Sequence, residues 1–125
     1  MIQLNPRYEE IFNSDNIDQD CDRIASLMSV EAKFIKETLD AGQYKQAVTM
    51  YLQLLKSMTK HFVEDEHWCY FDDWYSPDYS MELIYDAIMK YDIDAESWAL
   101  MEEGHNEIQQ SECYEDYGCP SYIDR

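Results

Sequence analysis

Residues 44–62 constrain this chain more than any other stretch. Apolar side chains fall at positions 44, 47, 48, 51, 54, 55, 58 and 62. That 3/4 spacing gathers them on one stripe of an α-helix, whereas a strand would split them between its two faces. Five turns of it predict a long amphipathic helix reaching at least His67. Such a stripe must be covered, and the rest of the chain offers helices to cover it. Only three glycines and three prolines occur in 125 residues, too few for the many turns of a sandwich or barrel.

Further helix signals flank this one. Pro6 suits the first position of a short helix over residues 6–12. The polar run NSDNIDQD follows as a turn. A second helix is expected from near Ile17 to Leu27, with Ile17, Ile24 and Leu27 on one face. Ser29 can cap a third over 30–41, with Phe34, Ile35 and Leu39 inward, and Gly42 stops it in a left-handed conformation. Asp72 to Pro77 breaks the chain. Ser76-Pro77-Asp78 supplies a cap, a first-position proline and a first-turn acid for a helix over 77–91. That helix turns Met81, Ile84, Tyr85, Ile88 and Tyr91 inward. Asp92 or Asp94 caps a last helix to about Gln110, with Trp98, Met101, His105 and Ile108 inward. In the tyrosine-rich tail SECYEDYGCPSYIDR, Gly118 and Pro120 exclude a regular helix. Hydrophobic residues make up 46% of the chain, enough for a core. The expectation is an all-α, single-domain compact bundle of five or six helices over residues 1–125, with an irregular C-terminal tail.

Within this pattern GQYKQAVTMYLQLL, residues 42–55, resembles the second half of a tetratricopeptide repeat. Gly42, Tyr44, Ala47, Tyr51 and Leu55 occupy its turn-glycine, aromatic, small, aromatic and leucine places. Phe34 fills one more apolar place, so the resemblance covers residues 30–55. The chain departs from the pattern at Ile35, Thr38 and Thr59, and no second copy appears at a period near 34. The resemblance implies a helix pair that binds protein, an adaptor and not an enzyme.

Charge is uneven along the chain. The net value is −18. Residues 1–60 hold 9 acids and 7 bases, whereas residues 61–125 hold 18 acids and only Lys90 and Arg125. Such a surplus repels itself and repels phosphates, which disfavours direct nucleic-acid binding. It is either a solubility device or a negative face for a positive partner. No secretory or membrane segment is visible, so a cytoplasmic location is expected, with Cys21, Cys69, Cys113 and Cys119 reduced.

Specific chemistry has few candidates. Glu64 and His67, and again Glu102 and His105, form two Glu-x-x-His motifs. Four-helix dimetal sites use such a pair plus one glutamate from each of two other helices, and Glu37 and Glu82 could supply these. In a chain this rich in glutamate the pattern arises close to its chance frequency, so no metal or cofactor is expected. Asp92, Asp94, Glu96 and Glu103 sit at calcium-loop spacing, but Ser97 replaces the required glycine, and helix capping explains the aspartates better. Cys69 lies near His61 and His67 with no basic neighbour to activate it. Recognition remains. Trp68, Tyr70, Trp74 and Tyr75 interleave with Asp65, Glu66, Asp72, Asp73 and Asp78. Aromatics anchor interfaces and carboxylates select basic partners.

The sequence thus leads to a non-catalytic, acidic helical module that docks on a basic protein surface. Its sharpest form is a nucleic-acid mimic that inhibits a DNA- or RNA-acting enzyme. Partner-binding residues are expected at Asp65, Glu66, Trp68, Tyr70, Asp72, Asp73, Trp74, Tyr75, Asp78, Glu102 and Glu103. The alternatives are a ferritin-like dimetal bundle and a tetratricopeptide-like adaptor with no electrostatic role.

Overall fold

Asn5 starts the first helix by accepting a hydrogen bond from the Arg7 N–H at 3.0 Å, and Pro6 follows at the first helical position. A computed structural model describes residues 2–13, 21–60 and 77–109. These residues form five helices and no strand: α1 (Pro6–Ile11), α2 (Cys21–Asp40), α3 (Tyr44–Thr59), α4 (Pro77–Met89) and α5 (Ala95–Gln109). The protein is an all-α helical bundle. The tail beyond Gln109 and the expected extension of α3 to His67 lie outside the described residues. Among those described, no helix is long and apolar enough to cross a membrane.

The expected boundary at Ser29 does not exist. α2 runs unbroken from Cys21 to Asp40, with Ser29 exposed in its middle. No glycine or proline lies between 21 and 41. One buried line, Ile24, Met28, Ala32, Ile35 and Leu39, continues across the supposed break at 3/4 spacing. That line leaves Leu27 and Phe34, expected inward, on the outer side at 37% and 44% exposure. The Arg7 guanidinium lies 5.8 Å from the Phe34 ring centre, partly covering it.

The end of α2 follows its glycine. Gly42 has φ +80. Its N–H bonds the Leu39 carbonyl at 2.9 Å, and the Gln43 N–H bonds the Thr38 carbonyl at 3.2 Å. These two bonds make a Schellman motif, satisfying carbonyls that the helix leaves without partners. The chain then reverses directly into α3.

α3 is the central element. It packs against each of the other four helices, while α2 also covers α4. Ala47, Val48, Tyr51, Leu54, Leu55 and Met58 are buried as the spacing predicts. Leu52 and Ser57 are buried too, so the helix is enclosed over more than one stripe. Each fully buried Leu, Ile or Met contributes about 1.5–3 kcal/mol relative to exposure. The Ser57 hydroxyl has no hydrogen-bond partner among the described residues.

α4 buries Met81, Ile84, Tyr85 and Ile88 as expected. It ends at Met89, two residues early. Lys90 and Tyr91 donate to the Ala87 and Ile88 carbonyls, tightening the last turn. Tyr91 then packs beside Tyr44 with the rings tilted and their centres 5.8 Å apart, and its hydroxyl bonds Asp40.

α5 buries Met101 and Ile108 as expected and half-buries His105, but turns Trp98 outward. Its buried line is Ser97, Met101, Gly104 and Ile108, while Trp98 is 39% exposed. Gly104 sets this phase. A Cβ placed there would lie 2.5 and 2.6 Å from the two methyl carbons of Leu52. The bare backbone of α5 therefore rests directly on α3 at the Leu52 side chain.

Two stability outcomes follow from these contacts. Gly104→Ala adds an atom within 2.5–3.0 Å of the Leu52 methyl carbons and Cγ, so that Leu52 or the two helix backbones must shift. Overpacking of about 1–3 kcal/mol should exceed the roughly 1 kcal/mol gained in helix propensity. Leu52→Ala alone should cost about 2–5 kcal/mol. The double variant should be more stable than the sum of the singles by about 1 kcal/mol, measured by urea unfolding. Strict additivity would show that the two residues are not in contact. Ser57→Ala removes a buried, unbonded hydroxyl and should raise stability by about 1 kcal/mol. A loss on that substitution would mean that Ser57 has a partner.

Candidate functional site

α5 organises the candidate site, and its start decides where its side chains point. Asp94 is the cap. Its carboxylate accepts from the Ser97 hydroxyl at 2.6 Å and from the Ser97 N–H at 3.1 Å. The Ser97 hydroxyl, then its N–H, hold the Asp94 carboxyl below the usual range. Two turns on, Glu102, Glu103, Gly104 and His105 face four different ways, because each helical step turns about 100°. Gly104 meets Leu52, His105 turns toward α3 and α4, and both glutamates are exposed.

His105 belongs to an aromatic node that joins three helices. Its ring centre lies 5.6 Å from that of Tyr51 on α3 and 5.8 Å from that of Tyr85 on α4, stacked on the latter. Tyr51 Oη is 2.9 Å from His105 Nε2. Burial pushes the His105 pKa down to about 4, so the imidazole is neutral near pH 7. A neutral ring with its proton on Nδ1 lets Nε2 accept from the tyrosine hydroxyl.

Beside Gly104 a cleft of about 320 Å³ opens between α3 and α5. Leu52, Leu100 and Gly104 line it from the helices, and Ile2 from the N-terminal segment, with Glu103 and Glu107 also on its wall. The segment is strapped in place. The Ile2 N–H donates to both Glu107 oxygens, at 3.0 and 3.1 Å. Lys56 Nζ reaches the Ile2 carbonyl at 2.8 Å and Glu107 at 3.1 Å. Burial pushes the Glu107 pKa up, but the Lys56 hydrogen bond, the Ile2 N–H and the Lys56 charge outweigh it and hold the carboxyl below its usual range.

Ion pairs engage several bases of the N-terminal half. Arg7 pairs with Glu31, Lys45 with Glu96, Lys56 with Glu107 and Lys60 with Glu9. Glu102 and Glu103 have no such partner among the described residues. They lie with Ala99, Asn106 and Glu107 along a shallow outer groove of α5. Trp98 stands one turn before Glu102 on the same side, partly exposed.

Of the residues expected from the sequence to bind a partner, Glu102 and Glu103 thus come together on one exposed surface. Asp78 is the second residue of α4. Asp65, Glu66, Trp68, Tyr70, Asp72, Asp73, Trp74 and Tyr75 lie outside the described residues, as do Glu64 and His67 of the first Glu-x-x-His motif. In the second motif the two side chains part. Glu102 is exposed, and His105 Nε2 faces Tyr51. Among the described residues no three His, Cys, Asp or Glu side chains gather at one point. That includes Asp92, Asp94, Glu96 and Glu103, whose Asp94 caps α5 and whose Glu96 pairs with Lys45. The sequence reading missed Trp98 as an exposed aromatic, and it missed the cleft. The one available signal was Gly104, a glycine inside a helix, which marks a close approach as readily as a weak helix.

The node makes stability depend on pH. The unfolded imidazole takes up its proton near pH 6.5, and the folded one only near 4. Between these values the unfolded chain binds more protons, so this contribution falls as pH drops from 6.5 to 4 and is constant below. Its full size is roughly 3 kcal/mol. Urea unfolding from pH 7 to 4 should show a steeper loss for the wild type than for His105→Gln. Parallel profiles, or a folded-state His105 titrating near 6.5 by NMR, would refute the buried neutral ring.

No protein-family model matches the chain, and neither a curated protein nor a solved structure was found similar to it.

Proposed function

We propose that this protein is a non-catalytic, acidic helical module that docks on a basic surface of a partner protein. The carrying observation is the imbalance of charge partners on α5. Ion pairs between distant segments engage Arg7, Lys45, Lys56 and Lys60, while Glu102 and Glu103 stay exposed beside the half-open Trp98, with no ion-pair partner among the described residues. Carboxylates steer encounter with a basic patch, and an exposed indole supplies an anchor that is buried on docking. The concentration of 18 acids in residues 61–125 supports the same reading. Its sharpest form is a mimic of nucleic acid, in which helix-borne carboxylates occupy a groove shaped for phosphates on a DNA- or RNA-acting enzyme.

The test is association kinetics against immobilised DNA- and RNA-processing enzymes over a range of salt. The screening length falls from about 10 Å at 0.1 M to about 3 Å at 1 M, so association should slow steeply. Neutralising Asp72, Asp73, Asp78, Glu102 and Glu103 to Asn or Gln should slow association most. Trp98→Ala and Trp74→Ala should instead speed dissociation. Far-UV spectra should stay helical for the Glu102 and Glu103 changes, since these exposed carboxylates carry no packing. A neutralised variant that associates at the wild-type rate in low salt would reduce the acidic surface to a solubility device.

A further inference from the structure

We infer that the cleft between α3 and α5 is a binding site for a small organic cation with a short apolar stem, an alkyl amine or alkyl guanidinium. This goes beyond the docking of a basic protein surface, because the cleft is concave and has its own lining. It holds about 320 Å³, at the low end for ligand pockets, which suits one short chain and not a drug-sized molecule. Its apolar wall is formed by Ile2, Leu52, Leu100 and Gly104. Gly104 contributes no side chain, so the cleft has a smooth strip where α5 meets Leu52. Methylenes seated there would leave water at no polar cost.

The charged lining decides the head group. Both charged side chains on the wall are carboxylates, Glu103 and Glu107. Glu107 is already bonded to Lys56 and to the Ile2 N–H, which fixes one side of the cleft. Glu103 is exposed and has no ion-pair partner among the described residues, so it can close on an arriving cation. The nearby ammonium of Lys56 is occupied by the Ile2 carbonyl and Glu107. Among the described residues an anion would find two carboxylates and no open cation on the wall, and a neutral alcohol would leave Glu103 without a charge partner. An ammonium or guanidinium on an apolar stem satisfies the apolar and the charged parts of the lining, whose remaining residues, Gln3, Thr49 and Gln53, are neutral and polar.

The experiment is a titration of methyl-labelled full chain with n-pentylamine, with n-pentanol as the neutral counterpart. Pentylamine should give saturable shifts of the Leu52, Leu100 and Ile2 methyls, and pentanol should bind at least several-fold more weakly. Glu103→Gln should weaken pentylamine about fivefold, the scale of one exposed charge pair. Glu37→Gln, which removes the same charge from exposed α2 surface, should leave it unchanged. Thr49→Trp, at the exposed mouth of the cleft, should abolish the shifts while the amide spectrum elsewhere shows the fold intact. Equal binding of pentanol, or equal weakening by Glu37→Gln and Glu103→Gln, would overturn the site. A blocked Gly-Arg-Gly tripeptide separates the two sources of such a cation. Tighter binding than pentylamine assigns the site to a side chain of a partner protein, and weaker binding to a free small amine; either supports the site.

Discussion

The contact of Gly104 with Leu52 governs the arrangement of the second half of the bundle. A helix whose side chains all carried a Cβ would be held away from α3 at this point. The missing Cβ lets α5 settle onto the Leu52 methyls, and that seat fixes its rotation. Everything else on α5 follows from the helical step. His105, one residue on, swings into the node with Tyr51 and Tyr85. Glu103, one residue back, lands on the wall of the cleft. Ser97 and Met101 share the buried side with Gly104, and Trp98 is turned outward. A glycine that costs about 1 kcal/mol of helix propensity thereby sets the positions of the side chains to which we assign function.

The aromatic node and the N-terminal strap complete what that contact begins. Tyr85 stacked on His105 links α4 to α5, and the Tyr51 hydroxyl supplies the polar partner that a buried imidazole needs. On the far side of α5, Glu107 gathers Ile2 and Lys56. α5 is thus tied at its two edges by different chemistry, ring packing on one and a charged hydrogen-bond cluster on the other. Between those edges its outer surface carries the exposed Glu102 and Glu103.

Charge is shared out unevenly by this design. Lys45, Lys56 and Lys60 each pair with an acid about 51 residues away in sequence. Each pair is partly or largely exposed, so solvent screens it and none contributes much to stability. Their larger effect is on what remains. Lys45 and Lys56 are bound to Glu96 and Glu107 of α5, and Glu102 and Glu103 stay exposed, with no ion-pair partner among the described residues. Such a surface is held folded by the core beneath it, against its own repulsion.

The sequence alone determined the class of fold and most of the core. The 3/4 spacing of residues 44–58 places Ala47, Val48, Tyr51, Leu54, Leu55 and Met58 inside, because a helical stripe is a local property of the chain. The Gly42 stop and the acidic cap before α5 are local too, each made by bonds that span three to five residues. The acidic excess needs no structure to be seen. What the local pattern could not give was the rotation of helices with ambiguous stripes. Phe34 and Trp98 are large and apolar and fit an inward 3/4 pattern, yet both are exposed. Ile35 and Leu39, expected inward with Phe34, are buried, whereas on α5 Gly104 and Ser97 take the inward place expected of Trp98. Ser29 looked like a cap because its residue type fits one, but the buried line running past it kept α2 whole. The cleft is the extreme case. Its lining comes from three segments more than forty residues apart, and only tertiary packing brings Ile2, Leu52 and Glu103 to one place.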